Sequence, residues 1–321
     1  PCFSPDGSHV AFVWRRDKSH DIYVQPVGAL RPSPVATEPE LEHSPAWSPD
    51  GRRIAFIRDS SQGDGLARIF VRPPFAGRER LVAEFRGRQA QRIWQRQLAW
   101  TRDSQHLVLS RPDGGGATWS LYLVDVNTGE MRRLTRSPAR DSAPAPSRDG
   151  RMLAFSRRVG DRGEIHVLPL TPELTPSGPS RLLVGEEHLR EARCDAAYMP
   201  TWTRDGREIV FAAFPRGPRL FRVNASGASR VRSIPARGDL LLDPALCPRT
   251  GRLAYASWEA LQSIVRLELG AGPEVPTPVS FNSTRSDSQP CFSPDGRTVA
   301  FSSMRLGAPA VWLSRPDGSG L

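Results

Sequence analysis

A short pattern returns seven times along the 321 residues, and a unit repeated at this spacing leaves few folds open. The copies are Pro1-Cys2-Phe3-Ser4-Pro5-Asp6-Gly7, Pro45 to Gly51, Leu98 to Ser104, Pro144 to Gly150, Pro200 to Gly206, Leu246 to Gly251 and Pro290 to Gly296. Between the turn positions 7, 51, 104, 150, 206, 251 and 296 the steps are 44, 53, 46, 56, 45 and 45. That period is the length of one four-stranded propeller blade.

Each copy continues alike. A small-aromatic strand follows the turn, as in Val10-Ala11-Phe12, Ile54-Ala55-Phe56, Leu153-Ala154-Phe155 and Val299-Ala300-Phe301. A third strand follows a polar loop, as in Ile22-Tyr23-Val24, Ile69-Phe70-Val71 and Ile165-His166-Val167. Short β-branched and aromatic runs separated by Pro, Gly, Asp and Ser describe antiparallel meanders. The expectation is an all-β chain, a single β-propeller over residues 1–321 with four-stranded antiparallel blades starting near 1, 45, 98, 144, 200, 244 and 290. Seven blades with the last incomplete is the first reading, and six or eight are the alternatives. The chain reads as a piece of a longer one, with about ten to fifteen further residues needed to complete the last strand.

The Pro-Asp-Gly triplet has a mechanical reason to recur. Proline presets φ at the first turn position, aspartate bonds its own backbone two residues on, and glycine accepts positive φ. Asp6, Asp50, Asp103, Asp149, Asp205 and Asp295 are therefore turn formers rather than catalytic carboxylates. The sixth copy carries Thr250 and Cys247 where the others carry the aspartate and an aromatic, so its blade is expected to be the least regular.

Ser-Pro-Asp-Gly after an aromatic, then Ile/Val-Ala-Phe and later Ile-Tyr-Val, resembles the TolB-type propeller repeat, and the resemblance covers essentially the whole chain. More narrowly, Asp21-Ile22-Tyr23-Val24, His43 to Gly51, Ile264 to Leu269 and Ser283-Thr284-Arg285 ahead of Gln289 to Ser293 resemble the propeller halves of large bacterial signalling proteins. There the propeller follows a winged-helix DNA-binding domain or a serine/threonine kinase domain. The resemblance implies a non-catalytic sensory or protein-interaction module, of a transcriptional regulator first and a kinase second. The alternatives it leaves open are the substrate-gating propeller of a prolyl-oligopeptidase-type hydrolase and a free-standing periplasmic binding protein. The missing N-terminal region would separate a cytoplasmic from a periplasmic location.

Composition adds bounds. The net charge is +10, but all 44 basic residues except Lys18 are arginine and they are dispersed through the repeats, so no nucleic-acid-binding stripe is expected. No apolar run reaches the length of a membrane span. Cys2, Cys194, Cys247 and Cys291 lack metal-ligand spacing and are read as buried thiols, with a Cys2–Cys291 disulfide between equivalent strands as the minority alternative. No GxSxG elbow, HExxH or phosphate-binding loop is present, the six histidines are scattered, and no catalytic residue, metal or cofactor is nominated.

The candidate site is one face. In an up-and-down blade, the connection to the next blade and the loop between second and third strands share a face. Three connections carry an acid three residues before the motif proline, Glu42, Asp141 and Asp287, expected to rim the channel. The second-to-third loops are expected to begin with Arg15 and Arg16, Arg58, Arg111, Arg157 and Arg158, and Arg305, as an outer basic ring. Insertions add Trp94, flanked by Arg92 and Arg96, and the segment 186–191. A protein or small ligand would dock at this mouth, and the three acids would then be replaceable without unfolding. The competing reading is that the acids cap the turn into the first strand and Trp94 folds back on its blade.

Overall fold

The computed structural model describes all residues except 17–18, 30, 61–63, 87–95, 115, 117, 215–218, 228, 237–239, 259–264, 267–276, 279–286 and 304–309. The chain forms two compact units, Pro1–Ser257 and Trp258–Leu321. In the first, successive meanders build sheets from β1 (Cys2–Phe3), β2 (His9–Arg16), β3 (Ser19–Pro26) and β4 (Ser33–Ala36), then β5 (Leu41–Trp47), β6 (Ile54–Asp59), β7 (Leu66–Arg72) and β8 (Arg80–Arg86). The third and fourth sheets are β9 (Leu98–Trp100), β10 (His106–Pro112), β11 (Trp119–Asp125) and β12 (Met131–Arg133), and β13 (Arg140–Pro146), β14 (Met152–Val159), β15 (Arg162–Pro169) and β16 (Arg181–Val184). A single parallel bridge, Trp119 to Arg140, joins these two. After the short helix α1 (Glu186–Glu191) come β17 (Ala196–Trp202), β18 (Glu208–Phe214), β19 (Arg219–Asn224) and β20 (Arg232–Ser233), and then β21 (Leu240–Leu246) paired with β22 (Leu253–Trp258). The second unit holds the pair β23 (Val265–Arg266) and β24 (Thr277–Pro278), and the three-stranded sheet β25 (Asp287–Phe292), β26 (Val299–Ser303) and β27 (Ala310–Ser314).

The repeat thus becomes antiparallel sheets of meander topology, and the sixth copy is the least regular: β21 and β22 pair only with each other among the described residues. Within Pro1–Ser257 the innermost strands are neighbours in sequence order, β1, β5, β9, β13, β17 and β21, and β21 lies beside β1 again. Tryptophans of the motif tie one sheet to the next. Trp100 Nε1 donates to the Ala46 carbonyl at 3.0 Å and Trp202 Nε1 to the Ala145 carbonyl at 2.8 Å.

The core comes from the small-aromatic strands. Alternate residues face opposite sides of a sheet, so the aromatic faces one neighbour and the small residue the other. Phe56, Phe155, Phe211 and Phe301 are all fully buried. At each turn the aspartate does what its type predicts: Asp50 Oδ1 accepts from Ser48 Oγ at 2.6 Å and the Arg52 amide at 3.0 Å, and Asp103, Asp149, Asp205 and Asp295 repeat the pattern. Hydrogen bonds from Ser4 and Ser8 hold the Asp6 carboxyl at about 2. The turn glycines take positive φ, 78° at Gly51, and Ser104 takes 56° where its copy lacks glycine.

One local feature was not read from the sequence. The residue before the motif proline is left-handed at Ser44, Ala143, Met199, Asp243 and Gln289, with φ between 46° and 58°. The ladder register slips at four of these places, between His43 and Ala46, Ser142 and Ala145, Tyr198 and Thr201, and Ser288 and Cys291. Proline has no N–H to give a ladder, so a proline inside an inner strand sits at a bulge, and the bulge re-aims the residues before it.

The four cysteines are free thiols. Burial pushes the Cys194 and Cys2 thiols up to about 11, whereas Cys291 is exposed, against the expectation that all four thiols are buried. Ellman's reagent on the native protein is expected to modify Cys291 and to reach Cys194 only after denaturation. Equal rates at the two would contradict the burial of Cys194.

Candidate functional site

Among the described residues, the acids and arginines of the expected face do not lie in loops. The strands run further than the motif triplets, so Glu42, Asp141 and Asp287 fall inside β5, β13 and β25, and Arg15, Arg58, Arg111, Arg157 and Arg158 inside β2, β6, β10 and β14. On the second and fourth sheets the acid and the arginine meet instead of standing in separate rings. The antiparallel register places Glu42 opposite Arg58 and Asp141 opposite Arg157. Opposite charges at partnered positions meet across the ladder, and here they do so away from water.

On the second sheet Glu42 is fully buried and Arg58 nearly so. Arg58 donates from Nε at 3.0 Å and Nη2 at 2.7 Å to Glu42 Oε1, and from Nη1 at 2.6 Å and Nη2 at 3.0 Å to the two carboxylate oxygens of Glu79. Its guanidinium lies 4.5 Å above the Phe70 ring and 5.5 Å from that of Phe56. One cation is shared by two carboxylates, and Glu42 Oε2 is left without a hydrogen bond. Burial pushes the Glu42 carboxyl up to about 7 against the opposing pull of Arg58.

The fourth sheet repeats the device with Asp141. Arg157 Nε and Nη2 grip its two oxygens at 2.7 and 2.9 Å, and Nη1 reaches Ser180 Oγ at 3.3 Å. The guanidinium stands 5.2 Å from the Phe155 ring, and His166 stacks on the same ring at 5.7 Å. His166 Nε2 is 2.9 Å from Glu164 Oε2, and its Nδ1 is buried without a hydrogen bond. Burial holds the imidazole below its ordinary pKa, so it is the neutral form in which Nε2 donates to Glu164. An open cleft of about 640 Å³ is lined here by Arg140, Arg157, Arg158, Val159, Glu164 and His166 among others.

The third sheet keeps the arginine and loses the acid. Arg111 lies 4.9 Å above the Tyr122 ring, whose hydroxyl donates to Asp113 at 2.8 Å, and no carboxylate pairs with Arg111 among the described residues. Asp287 is buried opposite Ser303. The Arg15 side chain, Trp94 and Arg305 lie outside the described residues, whereas 186–191 is helix α1. Among the described residues no group of His, Cys, Asp and Glu could hold a metal.

Glu79, Phe70, Glu164 and His166 complete these clusters and were not nominated from the sequence. A signal for part of them was present. In Phe56-Ile57-Arg58 and Phe155-Ser156-Arg157 the arginine stands two residues after the aromatic, hence on the same face. The third strand adds Phe70, Tyr122 or His166 beside it.

No family model matches the chain. It is 26% identical over 150 residues to the Tol-Pal system protein TolB of Bordetella pertussis, covering 46% of this chain and 32% of that protein. It is also 26% identical over 199 residues to the uncharacterized peptidase YuxL of Bacillus subtilis, covering 50% of this chain and 29% of the relative. The chain thus spans about a third of the length of these relatives. Among solved structures, TolB from Acinetobacter baumannii superposes with a TM-score of 0.56 at 16% identity, over 98% of this chain and 62% of that one. These relatives do not support the transcriptional-regulator or kinase setting that the sequence suggested. The fold, carried by the repeat, the sheets and these likenesses together, is that of a TolB-like β-propeller.

Proposed function

We propose that this chain is a non-catalytic protein-docking propeller of the TolB kind, with its partner face at the ends where the inner strands begin and the second and third strands turn. The sequence match to TolB carries the reading, because it extends the likeness beyond fold alone. The geometry supports it: within Pro1–Ser257 Glu42 and Asp141 are engaged by Arg58 and Arg157 as framework, and the open cleft of the fourth sheet is lined in part by Arg157. We take six sheets as the blade count, on the ground that β21 returns to β1 within Pro1–Ser257.

A second reading, the propeller half of a peptidase, is favoured by the match to YuxL. One experiment separates them. A photocrosslinking residue is placed in the intact protein at Val159, on the proposed face, or at Arg207, in the turn at the opposite end of the strands. The docking reading expects a discrete protein adduct from position 159 and none from 207, with no cleavage of peptide substrates. Peptide hydrolysis by the intact protein, or adducts from 207 alone, would sink it.

A further inference from the structure

Three consecutive copies of the repeat carry an arginine at the same place, and only two of them supply it with an acid. Arg58, Arg111 and Arg157 each stand seven residues after the turn positions 51, 104 and 150. Glu42 and Asp141 stand three residues before the motif prolines at 45 and 144, and the same place ahead of Leu98 is Gln95. Gln95 lies outside the described residues, but its stretch of sequence holds no substitute, since from Phe85 to Arg102 there is no aspartate or glutamate. Glu84, just ahead of that stretch, accepts from Arg68 Nε at 2.8 Å. Asp103 is the turn former described above. Asp113, two residues after Arg111, accepts from Tyr122 Oη, Ser120 Oγ and Arg133 Nη2, each at 2.8 Å.

Arg111 is nevertheless built like its copies. Its guanidinium lies 4.9 Å from the Tyr122 ring and 5.9 Å from that of the buried Phe85, as that of Arg58 lies against Phe70 and Phe56. Rings attract a cation at such distances, and they cover the faces of the planar fork while leaving its N–H edge for a partner. In Arg58 that edge makes four contacts of 2.6–3.0 Å to carboxylate oxygens. In Arg111 it makes two poor ones, from Nε to the adjacent Pro112 carbonyl at 3.5 Å and from Nη1 to Met131 Sδ at 3.7 Å, sulfur being a weak acceptor. Its Nη2 makes no hydrogen bond among the described residues. The residue is half-buried, so an aligned and partly desolvated cation reaches solvent with no carboxylate beside it among the described residues.

We infer that Arg111 is a receptor for a carboxylate from outside the chain, which takes the place that Glu42 and Asp141 fill on the neighbouring sheets and is gripped by the edge of the fork held against Tyr122 and Phe85. Charge-assisted bonds of this kind are about twice as strong as neutral ones, and a fork already aligned by stacking gives up little freedom on binding. The inference goes beyond the docking reading and does not require it, because a protein side chain and a free carboxylate present the same two oxygens.

The test uses methionine methyl groups as reporters, because Met131 touches Arg111 and the chain has only four methionines. The intact protein with carbon-13 methionine methyls is titrated with acetyl-Gly-Glu-Gly-amide, with its glutamine counterpart and with acetate. The glutamate peptide is expected to move the Met131 signal saturably. The glutamine peptide, and the glutamate peptide on Arg111→Gln, should act about tenfold or more weakly. Gln95→Glu, which supplies the acid from within the chain, should weaken binding likewise and raise the urea midpoint, a rise that Arg111→Gln abolishes. Acetate acting at the same concentration as the peptide assigns the site to free carboxylates, and a tighter-binding peptide assigns it to a protein side chain. The other methionine signals report folding, and Arg111→Lys, which keeps the charge without the fork, replaces Arg111→Gln where that variant unfolds. A Met131 signal that ignores the glutamate peptide and acetate, or that responds equally to the glutamine peptide or in Arg111→Gln, would overturn the inference. Crosslinking from position 159 judges the docking reading separately.

Discussion

Replacing Arg58 with alanine is expected to destabilise the protein by about 3–5 kcal/mol, because it strips the counterion from a carboxylate that water cannot reach. Glu42 is fully buried and its Oε2 already lacks a partner, so nothing replaces the two bonds that Arg58 supplies. The loss should depend on pH. Burial raises the Glu42 carboxyl from an ordinary 4.5 to about 7, so the folded state holds its proton more tightly than the unfolded chain. Its contribution is therefore fully present below the ordinary carboxylate range and is lost as pH rises to about 7, at up to about 1.4 kcal/mol per pH unit. Arg58→Ala should then be less damaging at pH 5 than at pH 8, where an unpaired Glu42 must ionise in the core or open the sheet. Glu42→Gln should flatten the dependence across that window. Urea unfolding of the three proteins at both pH values decides it, and a pH-independent loss in Arg58→Ala would show that the pair acts through packing alone.

Phe155→Ala is the second large effect, expected to cost about 3–5 kcal/mol. The ring is fully buried and supports two polar groups at once, with Arg157 on one contact and His166 on another. Its removal leaves a cavity under the cleft and frees the Arg157 guanidinium from the plane that aligns it with Asp141. Stability should therefore fall by more than the loss of an apolar contact alone would give. A urea midpoint that shifts with unchanged slope would assign the loss to folding stability, whereas an unaltered midpoint would contradict the packing described for this ring.

The same geometry changes what is expected of the three acids. At a channel rim Glu42, Asp141 and Asp287 could all become alanine in a folded protein. Inside β5, β13 and β25 they are buried, two of them against arginines, and the triple variant is expected to unfold.

How far the chain could be read without its structure follows from the range of the interactions. Repeat length, turn chemistry and the small-aromatic strands are local, set by φ preferences and by the two-residue period of a strand, and they determined the blades and the role of the motif aspartates. Where the acids and arginines fall along each repeat was also legible, since each stands at a fixed offset from its motif proline or aromatic. Whether they stand in water or meet each other was not. That depends on how far each strand continues past its motif and on the bulge before the proline, which together set Glu42 opposite Arg58 and Asp141 opposite Arg157. Phe70 and His166 enter from other strands of their sheets and Glu79 from the connection just before β8, and their nearness is a matter of register and loop length rather than of any pattern along the chain. Sequence alone determined the kind of fold because its repeat is a sum of short-range preferences. Only the tertiary structure decided which charges are buried and which cleft is open, because burial is a property of neighbours that the chain brings together from far apart.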